Sequence, residues 1–439
     1  MELKLKVIRR EVIKPASPSP RDHLQLSILD LSCPAIYVST IFFYKAEDLV
    51  TVSSEKLKSS LSETLSRFYP LAGQIDGVSI NCYDEGAVFT EERTDLLLPD
   101  FLKNLNTDSL EDLRPKISPG DSPVKWPLLS VKVTFFGSRS GFAISVCASH
   151  RICDASSLLT FVTDWSATTA KKKTNVSTLQ FAETKIYPPP PPHMASQSPP
   201  PTDHTNANLT KKCVMNRFVF ESSKIAELKR NAASESVLVP TRVEAITSLI
   251  WKCARNASRS NLMAPRPTLM YQAVDLRLRV PSNVLSRDAI GNLQTAFFLK
   301  KDAESELEIR ETVAAFRKAK EVVNKVIQEN LQGDTLGQGL MNVMGKLVSE
   351  YKPDIDIYTM SSWCGKPFYE VDFGWGSPVW MGSASHTIYD DNMVYVVLMD
   401  SKDGEGVEAW ISLPKQDMSV FVCDQDLLAY AVLNPPVLV

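Results

Sequence analysis

Short patterns that identify several classes of enzyme are missing from this chain of 439 residues. There is no CxxC pair, and no cysteine is spaced from a histidine as zinc ligands are. There is no phosphate-binding loop, and no G-x-G-x-x-G follows a predicted strand, so neither a P-loop enzyme nor a dinucleotide-binding enzyme is predicted. The eight cysteines are expected to be reduced thiols of a cytoplasmic protein, and they are scattered at positions 33, 82, 147, 153, 213, 253, 364 and 423.

A long apolar run and a surplus of basic residues are missing as well. The formal net charge is −3, so no basic surface is expected that would bind nucleic acid or an anionic membrane. No apolar run approaches the length of a membrane span. Residues 1–8 alternate charged and apolar side chains, which predicts a half-exposed strand and not a signal peptide. Neither a membrane nor a nucleic acid is therefore expected as a partner.

Length and composition predict two globular domains that are joined by a proline-rich segment. The chain is too long for one ordinary core, and its 44% hydrophobic and 23% charged residues are typical of globular proteins. Residues 187–207 contain eight prolines and few large apolar groups, so an extended linker is expected there. This predicts an N-terminal domain of residues 1–186 and a C-terminal domain of residues 208–439, each mixing strands with helices.

The N-terminal half carries a histidine and an aspartate between a predicted strand and a predicted helix. Residues 142–148 form an apolar run, and apolar residues recur at helical spacing over residues 155–165. His150 and Asp154 lie in the turn between them, where a side chain can be held rigidly and still reach a ligand. Taken alone, this spacing also has a structural explanation, because Asp154 is well placed to cap the helix.

The C-terminal half carries the pentapeptide Asp372-Phe-Gly-Trp-Gly376. Two glycines around a tryptophan predict a tight backbone path with positive φ or close packing. A structural aromatic turn explains this pattern by itself. The pentapeptide is therefore expected to be architectural.

The two motifs, in this order and separation, resemble those of the BAHD family of plant CoA-dependent acyltransferases. The resemblance covers essentially the whole chain and is closest to the branch that contains vinorine synthase and salutaridinol acetyltransferase. One departure is the segment Ala289-Ile-Gly-Asn292, because many members carry an aromatic pair before this Gly-Asn. That argues against the anthocyanin malonyltransferase branch. Other segments that carry the resemblance are Tyr69-Pro-Leu-Ala-Gly73, Asp275-Leu-Arg-Leu-Arg279 and Ser361-Ser-Trp-Cys364.

The resemblance implies a fold and an activity. The fold would be α/β, with two similar chloramphenicol-acetyltransferase-like domains, each a mixed sheet with helices, and a solvent channel between them. His150 would lie in the middle of the channel, and a short segment after the pentapeptide would cross back to the first domain. The protein would be a monomer. It would transfer an acyl group from acyl-CoA, with acetyl as the leading candidate, to a hydroxyl of a specialised metabolite such as an alkaloid or terpenoid alcohol. No metal and no other cofactor is expected.

The resemblance also implies roles at the site. His150 would be the general base, a role that suits imidazole because it titrates near neutral pH. Asp154 would point away from the substrate, pair with an arginine and hold the turn that aims His150. The candidate arginines, Arg277 and Arg279, are expected to lie two apart on a strand and thus on one face. Arg277 is favoured, and Arg279 stays open.

The remaining implied residues shape the channel or bind its ligands. Ser361 and Trp363 would line the channel near His150, although Trp363 is equally well explained as sheet core. Further candidates are Thr40 and Phe42 at the acceptor pocket, Lys229 and Thr241 at CoA, and Asp372, Gly374 and Gly376 as structural support.

Alternatives to this hypothesis stay open for the substrates, the class of protein and the mechanism. The donor could carry a longer aliphatic or an aromatic acyl group, or the acceptor could be a sugar. The chain could also be a non-catalytic relative that acts as a protein partner, although both motifs are intact. A Ser-His-Asp acyl-enzyme is the rival mechanism, but the sequence contains no G-x-S-x-G elbow.

Overall fold

A computed structural model of the chain describes most of both predicted halves. The described residues are 3–45, 54–117, 126–173, 179–181, 186–190, 213–262, 264–331, 335–350, 352, 354–383 and 393–439. Most of the predicted linker of residues 187–207 lies outside them, so its extended form stays a prediction. Its first residue, Tyr187, is buried and donates a hydrogen bond from its hydroxyl to the carbonyl of Gln294 at 2.6 Å.

The first sheet is built from strands rich in β-branched and aromatic residues, which suit a pleated and buried surface. Its strands are β1 (Lys6–Ile13), β3 (Tyr37–Lys45), β6 (Ala87–Arg93), β7 (Leu129–Phe135), β8 (Gly141–Ser149) and β13 (Trp380–Ser383). Their order in the sheet is β1-β6-β7-β8-β3-β13, and neighbours are antiparallel except for the parallel pair of β6 and β7.

The second sheet is mixed and forms from the C-terminal half. Its strands are β9 (Cys213–Phe220), β10 (Thr268–Asp275), β11 (Gln294–Lys301), β12 (Asp356–Ser362), β14 (Met393–Asp400), β15 (Val407–Pro414) and β16 (Val432–Leu433). Their order is β11-β10-β12-β14-β15-β9-β16, with β12 parallel to β10 and to β14. A small separate sheet contains β2 (His23–Gln25), β4 (Gln74–Asp76) and β5 (Ser79–Asn81).

Amphipathic helices cover the sheets and complete two large hydrophobic cores, the first built mostly from the N-terminal half and the second mostly from the C-terminal half. In the helix of residues 54–67, for example, Leu57, Leu61 and Leu65 recur every four residues and are fully buried. The helices are α1 (Ile28–Ser32), α2 (Ser54–Arg67), α3 (Leu98–Lys103), α4 (Thr107–Asp112), α5 (Ala155–Thr169), α6 (Ser222–Asn231), α7 (Arg242–Asn261), α8 (Ile309–Asn330), α9 (Leu336–Glu350), α10 (Lys415–Phe421) and α11 (Gln425–Leu428).

Two segments of the C-terminal half cross to the first domain. Strand β13 pairs antiparallel with β3, with Trp380 opposite Phe43 and Ser383 opposite Thr40. Near the end of the chain, the amide of Val437 donates to the carbonyl of Leu102 at 3.1 Å. The sheets therefore do not follow the division of the chain into halves, and the crossing expected after the pentapeptide is present.

One predicted strand is shorter than expected, and the difference matters for the site. Arg277 and Arg279 were expected to lie on this strand, but β10 ends at Asp275 and the backbone turns over residues 276–280. The carboxylate of Asp275 accepts a hydrogen bond from the amide of Arg277 at 3.0 Å, which stabilises the turn just after the strand. Arg277 and Arg279 thus do not share one face of a strand.

Candidate active site

His150 lies where β8 runs out into the turn before α5. Its amide donates to the carbonyl of Ile36 at 2.8 Å, which ties the turn to the start of β3. The side chain is half-buried and lines a cavity of about 390 Å³, open mouth included, between the two domains. Ser361, Trp363 and Tyr395 line the same cavity from the second sheet. The structure thus brings His150, Ser361 and Trp363 together, as the resemblance implied.

The hydrogen bonds around Asn292 determine which nitrogen of His150 carries a proton. The side-chain Nδ2 of Asn292 donates to the carbonyl of His150 at 2.6 Å and to Oδ1 of Asp30 at 2.9 Å. Both partners accept there, so the amide oxygen of Asn292 must face Nδ1 of His150, which lies 3.1 Å away. Because that oxygen can only accept, this geometry assigns a proton to Nδ1, and in the neutral imidazole Nε2 then keeps its lone pair. Within the described part of the chain, Nε2 has no hydrogen-bond partner.

Both carboxylate oxygens of Asp154 are engaged in contacts with α5 and with the second domain. It is the N-cap of α5, and Oδ1 accepts from the amide of Ser157 at 2.8 Å. Arg277 donates to Oδ2 at 2.8 Å and to Oδ1 at 3.1 Å, a bidentate pair in which both side chains are more than nine-tenths buried. The amide of Leu293 donates to Oδ2 at 3.1 Å. Asp154 therefore joins the turn before α5 to both ends of the loop between β10 and β11 in the second domain.

The structure distinguishes the two candidate arginines. Arg277 is buried, and besides Asp154 it donates to the hydroxyl of Ser157 at 2.9 Å and to the carbonyl of Ala289 at 2.9 Å. Burial alone would lower the pKa of Arg277, but the neighbouring carboxylates raise it above its ordinary value. Arg279 instead donates to the carbonyl of Asp275 at 2.7 Å.

A second group of charges lies beside this pair and was not predicted from the sequence. Lys366, from the loop after β12, donates to Oδ2 of Asp275 at 2.8 Å and also contacts the hydroxyl of Ser156. Burial alone would raise the pKa of Asp275, but Arg277 and Lys366 hold it well below its usual range. These contacts form a further link between α5 and the second domain.

Thr40 and Phe42 lie on β3 but not in the cavity at His150. From β3 that cavity is lined by Tyr37 and Val38. Phe42 is fully buried and packs against Phe368, with ring centroids 6.4 Å apart. Thr40 is buried opposite Ser383 of β13, and no partner for either hydroxyl exists among the described residues. Ser383 was not predicted from the sequence as a neighbour of Thr40, because it joins the first sheet only through β13.

The side chain of Trp363 packs in the hydrophobic core and also lines the cavity at His150. It is 4% exposed, its amide donates to the carbonyl of Leu398 at 2.7 Å, and its ring packs on Phe368 at 5.6 Å. It nevertheless lines the cavity with His150. The two explanations that the sequence left open therefore both describe this side chain.

The residues suggested for CoA lie apart from His150. Thr241 is the N-cap of α7 and forms a capping box with Glu244, accepting from its amide at 3.2 Å. Lys229 lies half-exposed on α6. Neither residue lines the cavity at His150, and the capping role of Thr241 is one that the resemblance did not reveal.

The pentapeptide forms a closed loop on the first domain. Oδ1 of Asp372 accepts from the amides of Gly374 and Gly376 at 2.7 and 2.8 Å, and Oδ2 pairs with Lys172 at 2.8 Å. Both glycines have positive φ, +102° and +93°, which explains why glycine stands there. Between them, the ring of Trp375 lies 6.0 Å from that of Tyr44 on β3.

Two features of other protein classes are missing from the part of the chain that the structure describes. It contains no group of three or more metal-binding side chains. None of its helices combines the length and the apolar character that a membrane crossing needs.

Comparison with known proteins relates this arrangement to a family. The model of the Transferase family matches residues 3–428. The chain is 70% identical to BAHD acyltransferase BIA1 of Arabidopsis thaliana, with 100% of both proteins covered. It is 33% identical to Limonoid 1-O-acetyltransferase of Citrus sinensis, with 97% of this chain and 98% of that protein covered. The crystal structure of vinorine synthase matches with a TM-score of 0.76 and 30% identity, covering 97% of this chain and 98% of that one.

The fold and these relatives define an acyltransferase with two chloramphenicol-acetyltransferase-like domains. The chain belongs to the BAHD family of acyltransferases. The family resemblance and the fold class predicted from the motifs are thereby confirmed.

Proposed function

We propose that this protein transfers an acetyl group from acetyl-CoA to a hydroxyl of a plant specialised metabolite, an alkaloid or terpenoid alcohol. The observation that carries the proposal is the state of His150. Its Nδ1 is held protonated by Asn292, its Nε2 is free of protein partners among the described residues, and the side chain borders the cavity between the domains. An unprotonated imidazole nitrogen in such a cavity is suited to general-base catalysis.

The reaction that fits this arrangement needs no covalent enzyme intermediate. Nε2 of His150 takes the proton of the acceptor hydroxyl while the oxygen attacks the thioester carbon, and a tetrahedral oxyanion forms. The oxyanion collapses, the carbon–sulfur bond breaks, and the imidazolium returns the proton to the CoA thiolate. Ser361 and Trp363, which share the cavity, are proposed to contact the acyl group or the oxyanion.

Two observations favour a small acyl group and an alcohol acceptor. A relative with 33% identity is a limonoid 1-O-acetyltransferase. Bulky aromatic side chains, Trp363 and Tyr395, also line the cavity beside His150. Longer aliphatic or aromatic donors and sugar acceptors are the alternatives that a substrate panel has to separate.

Several expectations from the sequence stay proposals. One chain supplies both walls of the cavity at His150, which supports a monomer. All eight cysteines are free thiols, which supports a cytoplasmic location. Contacts of CoA with Lys229 and Thr241 are also proposed, and acceptor contacts with Thr40 and Phe42.

The test is a panel of acyl-CoA donors and alcohol, amine and sugar acceptors, with products identified by mass spectrometry. We expect acetyl transfer to alcohols, and we expect His150→Ala to remove it by a factor of about 10² or more. A protein that transfers no acyl group and does not cleave acyl-CoA would support the non-catalytic alternative. A trapped acyl-enzyme would contradict the direct mechanism.

A further inference from the structure

Asp30 lies far from His150 in the order of the chain. It lies in the first turn of α1, 120 residues before His150 in the numbering, and it is 6% exposed. Its Oδ2 accepts from the amide of Ser27 at 2.9 Å and from the Ser27 hydroxyl at 2.6 Å. These contacts form a capping box, which would be sufficient reason for an aspartate at this position.

The other oxygen of Asp30 has a different set of partners. Oδ1 accepts from the backbone amide of Asn292 at 3.0 Å and from its side-chain Nδ2 at 2.9 Å. A capping box does not need these bonds. They hold Asn292 in the orientation in which its amide oxygen meets Nδ1 of His150.

The contacts with Asp30 decide whether Asn292 can turn over. A flipped amide group would place its oxygen against Oδ1 of Asp30 and against the carbonyl of His150, and two acceptors at such distances repel each other. If Asp30 were absent, only the carbonyl of His150 would oppose the flip. A flipped Asn292 would present N–H to Nδ1 of His150, which then must accept, so the proton would move to Nε2.

We infer that Asp30 is a positioning residue for the general base, acting through Asn292 to keep Nδ1 of His150 protonated and Nε2 free to accept a proton. Only the expected effect of Asp30 on turnover rests on the proposed function. The orientation of Asn292 and the tautomer of His150 are properties of the resting protein and can be measured without a substrate.

The first arm of the test is nitrogen NMR of protein labelled with ¹⁵N-histidine, at a pH where histidine is neutral. The signals of His150 are assigned by their loss in His150→Ala. We expect the wild type to show the Nδ1–H tautomer, which is the less common one for a free histidine side chain. In Asp30→Ala we expect the Nε2–H tautomer to be populated. Asp30→Asn, which offers one acceptor oxygen to four donors, should give a mixture.

The matched control is Ser27→Ala, which removes the helix cap but leaves Asp30 and Asn292 in place. We expect it to lower the unfolding temperature because the capping box is lost, but by less than Asp30→Ala, which also leaves two buried donors of Asn292 without Asp30. Unlike the Asp30 variants, it should keep the Nδ1–H tautomer. A shifted tautomer in Ser27→Ala would mean that the stability of α1, and not the carboxylate, controls His150.

The second arm is steady-state kinetics with the donor and acceptor found in the substrate panel. For Asp30→Ala we expect kcat to fall by about tenfold, because much of the base is then in the wrong tautomer. KM for both substrates should change by less than about twofold, since the cavity walls are untouched. Ser27→Ala should keep its kcat per folded molecule.

The outcomes separate this inference from the proposed function. A pure Nδ1–H tautomer in both Asp30 variants, or the Nε2–H tautomer in the wild type, would overturn the role of Asp30 whatever the enzyme does. A wild type that shows the expected tautomer but an active His150→Ala variant would instead contradict the proposed base.

Discussion

Asp154 and Asp372 make the same kinds of contact, and each of them pairs with a residue from the other half of the chain. Each aspartate accepts hydrogen bonds from two backbone amides and pairs with one cation from the other half of the chain. Asp154 reaches from the first half to Arg277, and Asp372 reaches from the second half to Lys172. The difference between them lies in their exposure to water.

The pair of Asp154 and Arg277 is largely buried, with side chains 8% and 2% exposed. In the pair of Asp372 and Lys172 the side chains are 27% and 58% exposed. A charge that loses its partner in a buried site stays desolvated, whereas an exposed one is rehydrated. Loss of the buried pair should therefore lower the free energy of unfolding much more than loss of the exposed pair. The three stability predictions below concern these two sites.

The largest effect is expected for Asp154→Ala. It leaves Arg277 buried without its main anion and removes the N-cap of α5, so the free energy of unfolding should fall by about 3–5 kcal/mol. Urea unfolding measures this loss. The control is the double variant Asp154→Ala with Arg277→Met, which should recover part of it because no unpaired charge remains. A single variant as stable as the wild type would contradict the structural role of Asp154.

A smaller loss, about 1–2 kcal/mol, is expected for Gly374→Ala, because its φ of +102° disfavours a residue with a Cβ. The matched variant is Gly376→Ala, where φ is +93° but no atom lies within 4 Å of the added Cβ. At Gly374 the added Cβ would lie 3.3 Å from the Cα of Ala170. Gly374→Ala should thus have the lower unfolding midpoint of the two, and equal midpoints would show that the contact with α5 is unimportant.

The smallest effect is expected for Asp372→Asn and should depend on pH. Partial burial alone would raise the pKa of Asp372, but Lys172 and the two amide donors outweigh it and hold the pKa below its usual value. A lowered folded-state pKa gives stability that is present above the unfolded pKa, near 3.9, and is lost as the pH falls through the folded value.

The wild type should therefore be more stable than Asp372→Asn at neutral pH by less than about 1 kcal/mol. The difference should disappear as the pH falls below about 4. Urea midpoints of both proteins between neutral and acidic pH measure it. A difference that grows on acidification would contradict the assigned sign.

The site was predictable where it is local in sequence. His150, Asp154 and the helix after them occupy one continuous segment, so periodicity and a capping residue were sufficient to place them. The expectation that Arg277 and Arg279 share a strand face was wrong, because the carboxylate of Asp275 starts a turn that apolar periodicity does not reveal.

The contacts that were not predictable join residues far apart in the chain. Asp30 and Asn292 are separated by 262 positions, and Thr40 meets Ser383 only because β13 crosses between the domains. Asn292 was visible in the Gly-Asn segment of the resemblance, but nothing in the sequence connected it with Asp30. Tertiary placement, not local propensity, creates such pairs.

We propose that two residues of one turn have different roles: His150 performs the chemistry, and Asp154 holds the structure. The most direct measurement is acyl transfer per folded molecule in His150→Ala and Asp154→Asn, together with the unfolding midpoint of each. We predict that His150→Ala keeps the wild-type midpoint and loses turnover by a factor of about 10² or more. We predict that Asp154→Asn loses stability and keeps turnover per folded molecule within about tenfold. An active His150→Ala protein, or a fully stable Asp154→Asn protein with His150-like loss of turnover, would contradict the account.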